Sequence, residues 1–206
     1  MKYLEFREKL LPLGFFSISH INIFFPNFDN RRLVEWQEKG YLKKIINKWY
    51  VFAEIEQSTE SLYRIANKIY QPSYVSLESA FSHYNLIPEG VFTITSISTK
   101  KTSTFNTFIG TFSYRSIHSK IFFGYQIKQV GHINFAMADL EKCILDYLYL
   151  NPNFVSIGDF ESLRLNPSVL SHIKWELLHD YLKIYQNKSL EKRVEGLIKY
   201  VDHVRN

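Results

Sequence analysis

Three side chains near the start of one predicted helix have the chemistry to read base edges. Asn30, Arg31 and Arg32 follow Asp29, a residue type that caps helix N-termini, and the pattern predicts a helix over residues 30–39. Arginine pairs with guanine through two hydrogen bonds, and asparagine pairs with adenine in the same way. Arg31 and Arg32 lie about 100° apart on a helix, so one faces a groove while the other meets phosphate or solvent.

Basic residues continue into the next segment. Residues 41–46 and 49–52 are β-prone runs separated by Asn47-Lys48, and Asn47 tolerates the left-handed conformation that a tight hairpin needs. The lysines on this hairpin or just before it are Lys39, Lys43, Lys44 and Lys48. Lysines placed there suit phosphate contacts, which position a protein without reading sequence. They equally suit the protection of an exposed strand edge.

The elements around these residues form a recognisable order. Residues 3–13 have helical spacing, and a second helix capped by Ser17 or Ser19 must end near Pro26. The order of helix, helix, turn, helix and basic hairpin is typical of a winged helix-turn-helix, whose third helix enters the major groove. We therefore predict a DNA-binding domain over residues 1–53, with double-stranded DNA as its partner.

The charge distribution fits this prediction. The chain carries a net charge of +5 over 206 residues. Residues 1–52 hold nine Lys/Arg and five Asp/Glu, whereas the remainder holds sixteen and fifteen. Such an excess in the first quarter attracts phosphate. A lysine-rich surface with no partner would have the same composition.

Residues 54–206 predict a second, mixed domain. Residues 61–70 predict one helix, and Ser76 caps a second. A segment rich in Phe, Tyr, Ile and Thr follows, as is typical of strands, and after it comes a helix capped by Asp139. The predicted strands are residues 91–98, 105–114, 120–128 and 132–136, and the remainder to Val204 is predicted to be largely helical. The fold class is therefore α+β, with helices flanking a central antiparallel sheet.

Two further lysines lie in this sheet region. Lys100 and Lys101, with Arg115 and Lys120 nearby in the sequence, would extend a DNA-facing surface onto the second domain. They also fit an ordinary solvated face. The residues alone leave both readings open.

Several classes of protein are excluded by what the sequence lacks. The single cysteine, Cys143, and the scattered histidines predict no structural metal site, and Cys143 itself is expected in the core. Neither a catalytic signature nor a phosphate-binding glycine loop occurs, so we expect no enzyme and no cofactor. Asp139, Glu141 and Asp146 share one helix, where capping and solvent exposure explain them. No signal peptide or membrane span is visible, which predicts a soluble cytoplasmic protein.

Three blocks of sequence resemble the AbiEi family of antitoxins. Within residues 57–86, the block Ser-Tyr-Val-Ser-Leu-Glu-Ser-Ala at 73–80 is followed by Leu-Ile-Pro at 86–88. Thr-Ser-Ile-Ser-Thr-Lys-Lys at 95–101 and Ala-Asp-Leu-Glu-Lys-Cys-Ile-Leu-Asp at 138–146 are similar to two further family blocks, in the same order. The resemblance covers nearly the whole chain.

This resemblance implies a specific function. Members are transcriptional autorepressors of a two-gene abortive-infection operon, a type IV toxin-antitoxin system, and they combine an N-terminal winged helix with a C-terminal antitoxin domain. The implied partners are the operon's own promoter, with inverted repeats, and a nucleotidyltransferase-like toxin that is countered without a tight complex. The block residues Tyr74, Leu77 and Ala80 are expected to pack and not to catalyse. The alternative is a protein-interaction module whose second domain neutralises a toxin by direct binding.

Overall fold

The computed structural model describes residues 2–205, which form an α+β fold with one three-stranded and one six-stranded sheet. The first 52 residues supply the smaller sheet and three helices. The elements are α1 (Tyr3–Leu10) with a 3-10 turn (Leu11–Leu13), β1 (Phe15–Ser17), α2 (Ile18–Phe24), α3 (Arg31–Glu38), β2 (Leu42–Ile46) and β3 (Trp49–Phe52). No helix in the described part of the chain is long and apolar enough to cross a membrane.

Local sequence signals account for the ends of these elements. The backbone N–H of His20 donates to Ser17 Oγ, and the N–H of Ser17 donates to His20 Nδ1, so both residues cap α2. Gly40, at φ 71°, ends the turn after α3 with the paired hydrogen bonds of a Schellman motif. In the β2–β3 turn it is Lys48, at φ 69°, that is left-handed, and not Asn47 as we expected.

The three-stranded sheet has the order β1-β3-β2 and is antiparallel throughout. One face packs on α1, α2 and α3 through a buried cluster that includes Phe6, Leu10, Phe16, Ile21, Leu33, Trp36 and Phe52. The other face contributes Phe15, Ile45 and Val51 to the core of the rest of the chain. The predicted domain boundary at residue 53 falls directly after β3 and remains a prediction.

The second part of the chain is built on the six-stranded sheet, ordered β6-β7-β5-β4-β9-β8. Its strands are β4 (Ser73–Val75), β5 (Thr93–Ser98), β6 (Ser103–Thr107), β7 (Gly110–Ser116), β8 (Tyr125–Val130) and β9 (Ile133–Ala138). The sheet is mixed and not antiparallel, because β5 pairs with β7 and β4 with β9 in parallel. The expectation of an antiparallel sheet was wrong because it missed β4, the short strand between β5 and β9, and because it took the β6–β7 hairpin as one strand.

Two other strand predictions also need correction. The predicted strand 105–114 is a hairpin of β6 and β7, because the chain turns at Phe108 and Ile109. In the predicted strand 120–128, Ser119–Ile121 forms a 3-10 turn and only the part from Tyr125 onward is a strand.

Helices cover the two faces of this sheet. They are α4 (Thr59–Ile69), α5 (Leu77–His83), α6 (Leu140–Leu150), α7 (Ile157–Glu161), α8 (Pro167–Leu170), α9 (Trp175–Tyr185) and α10 (Lys188–Arg205). Tyr114 Oη donates to the carbonyl oxygen of Ala66 on α4 at 2.8 Å, whereas Arg115, the next residue of β7, points to the other face and donates to Leu150 O at the end of α6. Helices α4 and α6 therefore lie on opposite faces.

A polar network is buried between β4, α6 and α9. Asp146 Oδ1 pairs with the Lys142 ammonium and accepts a hydrogen bond from Tyr185 Oη at 2.8 Å. Its Oδ2 accepts from Tyr74 Oη and Ser76 Oγ, each at 2.9 Å. The side chains of Lys142 and Asp146 are both 0% exposed. The expectation that solvent exposure explains Asp146 was wrong, because β4 and α9 enclose this face of α6.

Glu141 is also buried, at 4% exposed, and its Oε1 accepts the backbone N–H of Lys174 at 2.8 Å. Asp139 caps α6 as predicted, because its Oδ1 accepts the N–H of Lys142 at 2.9 Å. Cys143 lies in the core, as the sequence indicated.

Candidate nucleic-acid interface

Helix α3 presents the predicted base-reading residues at its N-terminal end. Leu33 and Trp36 hold one side of the helix in the core, so Arg31 and Val34 face outward, with Val34 56% exposed. Asn30 occupies the N-cap position and its side chain makes no capping hydrogen bond. Arg32 lies about 100° around the helix from Arg31 and lines a groove between α1 and the α2–α3 loop.

Local acids already pair with two of the predicted cations. Arg31 Nη2 lies 2.9 Å from Asp29 Oδ2, and Arg31 Nε lies 3.0 Å from both Asp29 oxygens. This hydrogen bonding from Arg31 holds the pKa of Asp29 below its ordinary value. Lys39 Nζ lies 2.6 Å from Glu35 Oε1 on the same helix. These pairs are exposed, and solvent-exposed pairs are weak enough to exchange partners with phosphate or bases.

The hairpin lysines differ from one another in their surroundings. Lys43 lies opposite Val51, on the face turned to the six-stranded sheet, and its ammonium sits 4.6 Å from the centre of the Phe108 ring. This contact directs Lys43 to the turn between β6 and β7. Lys44 and Lys48 are exposed, and neither forms an ion pair with another residue in the described range 2–205. They are the hairpin cations that are free to meet a phosphate.

Two cations that our sequence analysis did not select lie beside this hairpin. Arg64 on α4 donates to the carbonyl oxygen of Leu13 at 3.5 Å, and its guanidinium lies 5.3 Å from the Phe15 ring centre. Lys68 follows one turn later. Neither has an acidic partner within residues 2–205. We call Lys48, Arg64 and Lys68 the α4–hairpin basic surface.

His20 reports the positive charge of this surface. The centre of its ring lies 5.8 Å from the centre of the Trp49 ring, in an edge-on arrangement. Trp49 directly follows Lys48 in the chain. Burial, followed by the charges of Lys68 and Arg64, lowers the pKa of the His20 imidazole. An anion bound here would meet the charges of Arg64 and Lys68, neither of which is held in an ion pair within residues 2–205.

Lys100 and Lys101 lie in the loop between β5 and β6, next to the C-terminal end of α4. The Lys100 ammonium is 5.4 Å from the centre of the Tyr70 ring, and Tyr70 Oη donates to the carbonyl oxygen of Lys101 at 2.7 Å. Tyr70 is the C-cap of α4 and lies about 9 Å along the helix axis from Arg64, so Lys100 lies at the C-terminal end of the helix and Arg64 near its middle. Arg115 does not join this group because it faces α6.

The signal for Arg64 and Lys68 was present but not decisive. Both lie on the polar side of a helix whose apolar stripe was recognised, and a charged polar side is usually solvated. Only the packing of α4 against β1 shows that these cations adjoin the basic hairpin.

The structure also bears on metal binding. No group of three or more His, Cys, Asp or Glu side chains within residues 2–205 is arranged to hold a metal ion. Comparison with known proteins finds no family model that matches the chain and no match among curated proteins.

Proposed function

We propose that the chain is a DNA-binding transcriptional repressor whose residues 1–53 act as a winged helix-turn-helix. The observation that carries this proposal is an outward-facing α3 packed on β2 of a basic hairpin, next to which α4 adds cations that form no ion pair within residues 2–205. The three-stranded order β1-β3-β2, with α2 and α3 inserted between β1 and β2, supports it. Asn30, Arg31 and Arg32 would read bases in the major groove, and the lysines would hold phosphates.

The first test is a salt series on the DNA upstream of the protein's own gene. Each neutralised phosphate contributes about −0.9 to the slope of log K against log salt. Five cations of α3, the hairpin and α4 form no ion pair within residues 2–205, and they predict a slope of about −4 to −5: Arg32, Lys44, Lys48, Arg64 and Lys68. Fluorescence anisotropy would measure it. A salt-independent affinity, or no binding, would contradict the proposal.

A charge-matched pair of variants locates the contact. Arg64→Gln/Lys68→Gln should make the salt slope shallower by about 2 and weaken binding to all sequences alike. Lys192→Gln/Lys199→Gln removes the same charge from exposed positions on α10 and should leave the slope unchanged. Equal effects from both double variants would show that binding depends on the net charge of the protein and not on contacts made by Arg64 and Lys68.

Base reading is tested at α3. At least one of Arg31→Ala and Arg32→Ala should weaken binding to the specific site by about 1–3 kcal/mol while affecting non-specific DNA less. Asp29→Asn keeps an oxygen that can cap the helix but removes the charge paired with Arg31, and it should strengthen binding. Equal losses on every sequence would show that neither arginine reads bases.

The antitoxin role in a type IV toxin-antitoxin operon is proposed from the resemblance. Two of its blocks meet inside the protein, since Tyr74 and Ser76 of the first bond to Asp146 of the third. This contact supports the proposal that the first and third blocks together build the core of the second domain. Co-expression with the neighbouring toxin gene should restore growth, and removal of residues 54–206 should abolish the rescue.

One observation favours the alternative, a module that neutralises a toxin by direct binding. Strand β8 is an edge of the six-stranded sheet, and its exposed apolar residues include Ile127 at 67% and Val130 at 47%. Unpaired edges of this kind accept a strand from another protein. Co-purification with the toxin, lost on Ile127→Lys, would favour this alternative over a mechanism without a complex.

A further inference from the structure

A cavity of about 590 Å³ opens between β5, β7, α5 and the loop 87–92. Its floor is polar, because Thr95 and Ser113 pair in register on neighbouring strands and Arg115 follows on the same face. Its walls are largely apolar and include Leu77, Phe81, Ile87, Val91 and Leu163. A volume of this size, with few polar groups among apolar ones, is typical of small-molecule sites.

Two opposite charges in this cavity have no ionic partner. Arg115 donates to the carbonyl oxygen of Leu150 at 3.4 Å and has no carboxylate partner within residues 2–205. Glu78 makes no side-chain hydrogen bond or ion pair with any residue of that range. Glu89, the other carboxylate of the lining, is already paired with Arg164. The cavity therefore offers one cation and one anion to a ligand.

Both charges lie near the last turn of α6. Arg115 contacts Leu150, and burial, followed by the charge of Glu78, raises the pKa of Tyr147 to about 12. Glu78 and Arg115 both line the cavity, and they form no ion pair with each other. A ligand that meets both therefore needs one positive and one negative group.

We infer that the cavity binds a free apolar α-amino acid. An α-amino acid carries one ammonium and one carboxylate, which matches the single anion and the single cation of this lining that are left without an ionic partner within residues 2–205. Glu78 accepts from the ammonium, and Arg115, with the Ser113 hydroxyl, donates to the carboxylate. The side chain lies among the apolar walls, and the Phe92 ring at the rim, 95% exposed, is available to cover it.

The first experiment uses ligands alone, with the full-length protein and isothermal titration calorimetry. L-leucine and L-phenylalanine should bind with Kd on the order of 0.1 mM. N-acetyl-L-phenylalanine lacks the ammonium and L-phenylalaninamide lacks the carboxylate, so each should bind at least tenfold more weakly than L-phenylalanine. Absence of binding by both free amino acids at 10 mM, or equal binding of the capped and free forms, would overturn the inference.

Single substitutions assign each charge. Glu78→Gln should weaken L-phenylalanine at least tenfold but leave N-acetyl-L-phenylalanine unchanged, because that analogue has no ammonium to lose. Arg115→Gln should weaken L-phenylalanine at least tenfold but leave L-phenylalaninamide unchanged, because the amide has no carboxylate to lose. Glu176→Gln, an exposed change on α9, is the matched control and should alter neither. Loss of all ligands alike in both variants would mean general damage to the cavity and would overturn the assignment. These measurements do not involve DNA, so their outcome is independent of the proposed function.

Discussion

Removing both charges of the buried Lys142–Asp146 pair should destabilise the protein far less than the sum of the two single removals. Both side chains are 0% exposed, and four donors converge on the Asp146 carboxylate. Asp146→Leu would leave the ammonium with Tyr185 Oη, 2.7 Å away, as its remaining polar contact. Lys142→Met would leave a carboxylate that still has three hydroxyl donors, so it is the milder change.

The magnitudes follow from burial. Breaking a buried ion pair by removing one partner costs about 3–5 kcal/mol, which we assign as about 4 for Asp146→Leu and about 3 for Lys142→Met. The double variant leaves only neutral hydroxyls without their acceptor and should cost about 3 kcal/mol. The coupling energy between the two sites is then about 4 kcal/mol.

Urea unfolding followed by far-UV circular dichroism would measure these energies. For a chain of this size, about 4 kcal/mol corresponds to a drop in Tm of roughly 8–16 °C. The matched cycle at Asp180 and Lys183, an ion pair with side chains 67% and 76% exposed, should show no measurable coupling. Additive effects at Lys142 and Asp146, or single losses below about 1 kcal/mol, would refute the reasoning.

Three further predictions concern other parts of the fold. Folding lowers the pKa of His20, so the stability that the neutral imidazole contributes is present above the unfolded-state pKa and is lost as the pH falls through the folded-state pKa. The variant His20→Gln keeps the capping box with Ser17 but does not titrate. The urea midpoint of this variant should therefore fall less steeply than that of the wild type from pH 7 to 5. A Cβ at Gly196 would overlap the carbonyl oxygen of Val155, so Gly196→Ala should lower the unfolding free energy by about 1–3 kcal/mol, and an unchanged urea midpoint would contradict this. Lys48 has a left-handed backbone, so Lys48→Gly should raise the unfolding free energy by up to about 1 kcal/mol while weakening DNA binding. A loss of stability together with the loss of DNA binding would argue against the proposed contact.

Local chemistry made much of the chain predictable. The caps at Ser17 and Asp139 and the stop at Gly40 depend on side chains within a few residues of the element they end. The hairpin of β2 and β3 likewise follows from two β-prone runs and a two-residue turn. Signals of this kind act within one segment, so no tertiary information is needed to use them.

The parts that failed depend on distant partners. Strand β4 has three residues, too few to show a period, and it exists because β5 and β9 pair with it from either side. The predicted exposure of Asp146 failed for a related reason, since a carboxylate on a helix is usually solvated unless other elements supply donors. Here Tyr74 and Tyr185, from 72 and 39 residues away, supply them.

The sequence by itself predicted which residues within 1–53 would contact DNA, and it determined how the short elements that carry them begin and end. Only the tertiary structure decided which cations are free: it paired Arg31 with Asp29, turned Lys43 toward Phe108, and brought Arg64 beside the hairpin. The physical reason is range. Capping and turn formation are set by neighbours in the chain, whereas charge pairing and burial are set by whichever segments pack nearby.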